Sequence, residues 1–117
     1  LELSLNKIKI IKKRSFLGLD NLKTLDISSS SIESIEEEGF YGLFSLNELD
    51  LTSNKIKIIE KRSFLGLENL KKLNLISNLI ESVKEEGFYG LPILNELNLL
   101  NNKINIIQKR SFFGLGN

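Results

Sequence analysis

The sequence contains no cysteine, histidine, methionine or tryptophan, and only one proline. Without cysteine there are no disulfides or thiolate zinc sites; without histidine there is no imidazole for acid–base work or metal ligation. Asp and Glu remain as metal ligands, but no run of them has the spacing of a calcium loop. Net charge is also nearly absent, with 16 basic side chains against 15 acidic ones in 117 residues. That balance gives no overall field of the kind that draws in nucleic acid or an anionic membrane. Apolar runs are a few residues long, far short of the roughly 20 needed to cross a bilayer. No basic-then-apolar secretion signal stands at the amino terminus.

What is present is a repeat. The stretch Leu73-Asn74-Leu75-Ile76-Ser77-Asn78-Leu79-Ile80 recurs every 24 residues without insertion, as Leu1, Leu3, Asn6 and Ile8, then Leu25, Ile27, Ser30 and Ile32, then Leu49, Leu51, Asn54 and Ile56, and last Leu97, Leu99, Asn102 and Ile104. A fixed period of this size marks a solenoid. The expected organisation is a single array over 1–117, with coils starting near 1, 25, 49, 73 and 97 and the last one incomplete. Because it begins and stops inside coils, the array is expected to be an uncapped fragment of a longer one. In each coil Leu1 and Leu3 alternate with Glu2 and Ser4, the period-two pattern of a short strand. Ile8 and Ile11 continue inward, and the spacing of Phe16, Leu19 and Leu22 suits one short helical or 3₁₀ turn eased by Gly18. The last coil places Phe112 and Leu115 inward in the same way. One coil buries too little to offset the ordering of its own chain, so stability belongs to the stack.

A double period lies over the single one. Residues 1–48 match residues 49–96 at 33 of 48 positions, and two kinds of coil are distinguished by Lys-Arg-Ser-Phe and Glu-Gly-Phe-Tyr. A two-coil block has been duplicated.

The pattern L-x-x-L-x-L-x-x-N-x-I-x-x-I followed by F-x-G-L, as in Leu70 to Val83 with Phe88-Tyr89-Gly90-Leu91, resembles the 24-residue leucine-rich repeat of Toll-like receptors, Slit-type guidance proteins and small extracellular proteoglycans. The resemblance implies an α/β repeat: a right-handed horseshoe solenoid with a parallel sheet on its concave side and irregular or short helical segments on its convex side. Such families act mostly by binding proteins. Two departures are Ser30, where other coils have Asn, and the lack of cysteine-rich caps.

Several columns need a role. The Asn ladder of Asn6, Asn54, Asn78 and Asn102 is read as structural, because a backbone that turns inward leaves polar groups that a buried amide satisfies from both sides. Ser30 does this less completely, so a water or a weaker turn is expected in the second coil. The Phe column of Phe16, Phe40, Phe64, Phe88 and Phe112 is read as a stacked core spine rather than a platform for bases or sugars. The triplets Lys12-Lys13-Arg14, Glu36-Glu37-Glu38, Glu60-Lys61-Arg62, Lys84-Glu85-Glu86 and Gln108-Lys109-Arg110 set basic rows beside mostly acidic ones, suggesting weak lateral ion pairs that hold coil register.

On the concave side one column runs Glu2, Asp26, Asp50, Asn74 and Asn98. A neighbouring column ends in Ile76 and Leu100, and a third contains Glu48, Lys72 and Glu96. These residues are the candidate ligand-binding face, passing from acidic to apolar along the array, with Ile76, Leu100 and nearby Leu79 as an apolar patch. Asp26 and Asp50 on adjacent strands about 4.8 Å apart are close enough for paired carboxylate chemistry, but no pocket, nucleophile or oxyanion donor accompanies them. The expectation is therefore a non-enzymatic module with no cofactor or metal. Its partner is a protein ligand, with no nucleic acid and no membrane insertion within this segment. It belongs to a receptor or adhesion ectodomain at the cell surface or outside the cell. An intracellular scaffold or enzyme-regulating repeat protein is the alternative, favoured by the lack of Cys and of any Asn-x-Ser/Thr site.

Overall fold

A computed structural model describes residues 1–112, so the Leu115 position lies outside the described residues. Nine short strands follow one another in the described chain: β1 (Ile10–Ile11), β2 (Thr24–Asp26), β3 (Ser34–Ile35), β4 (Glu48–Asp50), β5 (Ile58–Ile59), β6 (Lys72–Asn74), β7 (Ser82–Val83), β8 (Glu96–Asn98) and β9 (Ile106–Ile107). The three-residue strands form one parallel sheet in the order β2-β4-β6-β8. Its register pairs Leu25 with Leu49, Leu49 with Leu73 and Leu73 with Leu97, so the 24-residue period becomes one step of the sheet. The first coil joins by a single bridge between Glu2 and Asp26. The chain is a parallel β-solenoid of four complete turns and part of a fifth.

The inward columns form one continuous core. Leu25, Ile27, Ile32, Ile35, Phe40, Leu43 and Leu46 are all buried, as are their counterparts in the third and fourth coils. The phenylalanines stack as an axial spine with centroid steps of 5.6, 5.9, 5.8 and 5.2 Å from Phe16 to Phe112. Burial thins in the fifth coil, where Ile107 and Phe112, inward by pattern, are exposed.

Two features of the return path differ from the sequence expectation. No helix occurs among the described residues, and the stretch from Phe16 to Leu22 is a chain of turns. The reason is a pair of left-handed residues four positions apart. Arg14, Glu38, Arg62 and Glu86 have φ of 54 to 60°, while Gly18, Gly42, Gly66 and Gly90 have φ of 95 to 109°. Between them there is room for one i→i+3 bond, such as Leu17 N–H to the Arg14 carbonyl at 3.4 Å, and a right-handed helix cannot propagate through either end. The second difference is an additional set of two-residue strands, paired β1-β3 and β5-β7-β9. The β-branched residues of Ile10-Ile11, Ile58-Ile59 and Ile106-Ile107 carry that signal in the sequence.

Candidate interaction faces

The sheet face is more self-satisfied than its sequence suggests. Asp26 and Asp50 each accept a hydrogen bond at Oδ1 from the backbone N–H two residues on, at Ser28 and Thr52, both at 2.9 Å. Asn74 and Asn98 do the same for Ile76 at 3.0 Å and Leu100 at 3.1 Å. This side-chain turn fixes the chain where it leaves the strand, which explains why the column holds only Asp or Asn after the first coil. Glu2, one carbon too long for that turn, instead accepts from the Ser4 hydroxyl at 2.8 Å. Each Asp or Asn still has a second polar atom available toward the face.

Beside this column Glu48, Lys72 and Glu96 are exposed, and Lys72 Nζ lies 4.0 Å from Glu48 Oε1. Together with Asn74 and Asn98 they line a shallow depression of about 110 Å³. The expected apolar patch is smaller than anticipated. Leu100 is 63% exposed, but Ile76 is half-buried because the following coil shields it. Leu79 faces a different depression, with Ile10, Lys55, Lys57 and Ile58, because the inward turn at Asn78 carries the chain off the sheet.

The Asn ladder has the geometry of an inter-coil brace. Asn54 Nδ2 donates to Leu51 and Ile27 carbonyls, both at 2.9 Å, while its Oδ1 accepts from Ser30 N–H at 2.9 Å and Ile32 N–H at 3.0 Å. Asn78 and Asn102 repeat the pattern, accepting from Ile56 and Ile80 and donating to Leu51 and Leu75 in the preceding coil. Asn6 is exposed and donates to its own coil's Leu3 and Ser4 carbonyls. Ser30 needs no water for its donor half, since its hydroxyl reaches the Leu3 carbonyl at 3.0 Å. What it lacks is a carboxamide oxygen for the coil before it.

The return path holds two clamps and one open seam. Arg14 Nε lies 2.8 Å from Glu38 Oε1 and its guanidinium sits 4.7 Å from the Tyr41 ring centre. Arg62 repeats this with Glu86 at 2.8 Å and Tyr89 at 5.3 Å, and the hydrogen bond it donates to the Glu86 carboxylate raises the Arg62 pKa above the ordinary guanidinium range. Between the second and third coils the short-strand ladder stops. Glu36 N–H donates to the Ile11 carbonyl at 2.9 Å and Lys84 N–H to Ile59 at 3.0 Å, yet the described residues contain no bond from Glu60 to Ile35. The twelfth residues of successive coils are Lys12, Glu36, Glu60, Lys84 and Gln108, so in this column only this seam sets like charges side by side. Their carboxylates turn apart, Glu36 accepting from Lys13 N–H at 2.8 Å and Glu60 lying 3.9 Å from Lys84. The alternation read from the triplets therefore fails at one column, and a cleft lined by Ser34, Ile35, Glu36 and Glu60 marks the place.

A parallel solenoid of 24-residue coils, braced by an asparagine turn and filled by a phenylalanine spine, is the leucine-rich repeat architecture. The Leucine rich repeat family model matches residues 20–80 and 68–117, and the chain belongs to that family. Epiphycan of Mus musculus and of Homo sapiens are each 43% identical over 49 residues, covering 42% of this chain and 15% of the epiphycan sequence. A solved structure of TLR13 in complex with ssRNA13 superimposes with a TM-score of 0.88 at 35% identity, over 97% of this chain and 16% of that one. The chain thus spans about a sixth of these relatives. As a leucine-rich repeat domain it is of a class of protein–protein interaction modules, with receptor-like relatives. The expected exclusion of nucleic acid is not consistent with the TLR13 neighbour, because an array of this fold is seen there with RNA.

Proposed function

We propose that the chain acts as one array over 1–117 whose four-stranded sheet face recognises a protein ligand, as part of a receptor or adhesion ectodomain at the cell surface or outside the cell. The observation behind this reading is the contrast between a fixed frame and a changing face. The core columns hold to one or two residue types, while the sheet surface passes from Asp26 and Asp50 through the Glu48, Lys72 and Glu96 depression to the exposed Leu100. The ligand is therefore expected to offer donors at the first coils and an apolar group at the last. Glu2, Asn74, Asn98 and Ile76 contribute shape and orientation more than charge, and the Asn ladder holds the frame.

The test is photocrosslinking in the natural full-length protein, with a benzophenone side chain placed at Lys72, at Leu100 or, as a control on another face, at Lys57. Adducts with a protein partner from the first two positions are expected. Adducts from Lys57 alone would overturn the assignment of the face. RNA is the second reading, favoured by the TLR13 complex. It is checked by titrating single-stranded RNA, with binding that falls steeply as salt rises as its signature.

A further inference from the structure

An open apolar surface lies on the return path, away from the sheet. Leu17 is 55% exposed, Phe44 36% and Ile93 40%, and between them Tyr41, Leu65 and Tyr89 occupy one column of successive coils. Leu17, Tyr41 and Leu65 each lean onto the glycine of the next coil, Gly42, Gly66 and Gly90. A Cβ added at Gly66 would stand 2.8 Å from Tyr41 Cδ2, and one added at Gly90 would stand 2.9 Å from Leu65 Cα. The glycines thus form a floor without side chains. Tyr41, Leu65, Gly66, Tyr89 and Pro92 enclose a groove of about 480 Å³ with Glu68 at its rim.

Three observations define what fits. The tyrosine rings are pre-positioned by Arg14 and Arg62, whose charges Glu38 and Glu86 already pair, so the aromatic walls are rigid. Among the described residues the exposed Glu68 side chain has no hydrogen bond or ion pair, leaving one unneutralised negative charge at the groove. The lining is mostly two tyrosine rings, a leucine and a proline, and flat aromatic walls of this kind pack the pyrrolidine rings of an extended proline-rich segment. Proline has no N–H, and a polyproline II segment presents carbonyls outward without internal hydrogen bonds. The two tyrosine-bearing coils are separated by two spine steps, of 5.9 and 5.8 Å. About four polyproline II residues at about 3.1 Å each cover that span.

We propose that this groove binds a proline-rich segment of a protein partner in the polyproline II conformation, with an Arg or Lys of the segment paired to Glu68. This site is on a different face from the sheet and stands or falls independently of it.

Tyr41 and Tyr89 both line the groove, so the tyrosine fluorescence of the natural full-length protein, less that of a variant carrying Tyr41→Leu and Tyr89→Leu together, reads the site. The probe is a peptide of eight prolines with one central arginine and no aromatic residue. The control replaces every proline by glycine or serine. A saturable change in tyrosine fluorescence is expected with the first peptide and not with the second. Tyr41→Leu and Tyr89→Leu, which install the residue this column already holds at Leu17 and Leu65, should each weaken binding by about tenfold with the far-ultraviolet spectrum unchanged. Calorimetry checks the same affinities without relying on the removed fluorophore. Glu68→Gln should weaken the arginine peptide while leaving an all-proline peptide unaffected. No saturable change up to millimolar peptide, equal response to the glycine–serine control, or undiminished binding by both Leu variants would overturn the assignment. Sheet-face variants at Lys72 or Leu100 should bind the peptide normally, which separates failure here from failure of the sheet reading.

Discussion

The seam between the first and second coils and the seam between the second and third are built from different parts. The first has a short-strand ladder and the Arg14, Glu38 and Tyr41 clamp, but its amide brace is reduced to the Ser30 hydroxyl. The second has the complete Asn54 brace, but no short-strand ladder and opposed Glu36 and Glu60. Both keep the phenylalanine stack, while the sheet pairing is a single bridge at the first and a three-residue register at the second. Neighbouring coils are therefore held at several separate places, and each seam is weak where the other is strong.

The most damaging change to that balance is Asn54→Leu. It leaves the Ser30 and Ile32 amides and the Ile27 carbonyl buried without partners, at the seam that has least else to hold it. A loss of about 3 kcal/mol is expected in urea unfolding, more than for Asn78→Leu, whose seam retains a clamp. An unchanged midpoint would remove the brace from the comparison. Ser30→Asn works in the opposite direction. Restoring the missing carboxamide at the first seam should raise stability by about 1 kcal/mol, seen as a higher unfolding midpoint at an unaltered slope.

Smaller effects sharpen the contrast. The Thr52 hydroxyl is buried without a partner, so Thr52→Val, of the same shape, should stabilise by about 0.5 kcal/mol. Glu60→Gln removes the like-charge pair at the open seam while keeping a side chain of the same length. If repulsion holds the seam open, exchange of the Lys57 amide should slow several-fold in hydrogen-exchange measurements, while amides of the other seams keep their rates. Smallest of all is the response of the Arg62 and Glu86 clamp to salt, because exposed ion pairs are screened. Glu86→Gln should lower the unfolding temperature slightly at low ionic strength and not at all in molar salt.

Much of this structure was legible in the residues, and for one reason: a 24-residue register leaves only one way to bring Leu25, Leu49 and Leu73 together. The stacked core, the parallel sheet and the bracing by Asn54, Asn78 and Asn102 all follow from that register. The return path was harder to read. Its turns depend on left-handed backbone at Arg14, Glu38, Arg62 and Glu86, residue types with no composition signal for such a conformation. The candidate surfaces were least visible. Ile76 and Leu100 stand in the same column, yet Ile76 is half-buried under the coil that follows it. The tyrosine groove depends on side chains leaning across glycines, which a linear pattern does not display. The Glu36 and Glu60 opposition, by contrast, was written in the sequence at a spacing of 24, and reading charges by triplet rather than by column concealed it.

The alternation of serine and glycine at the start of each Phe segment has one more consequence. Ser63 reaches back to the Ile35 carbonyl, whereas a Cβ at Gly39 would stand 3.0 Å from Ile11 Cγ2, so odd and even coils fit each other and not themselves. Removing the second coil would place Arg14 opposite Arg62 and strand the Arg14 guanidinium, since Arg62 keeps Glu86; removing two would leave every clamp with its mate. Arrays of this type are thus free to lengthen or shorten in evolution only by even numbers, and parity becomes a selectable property of the molecule.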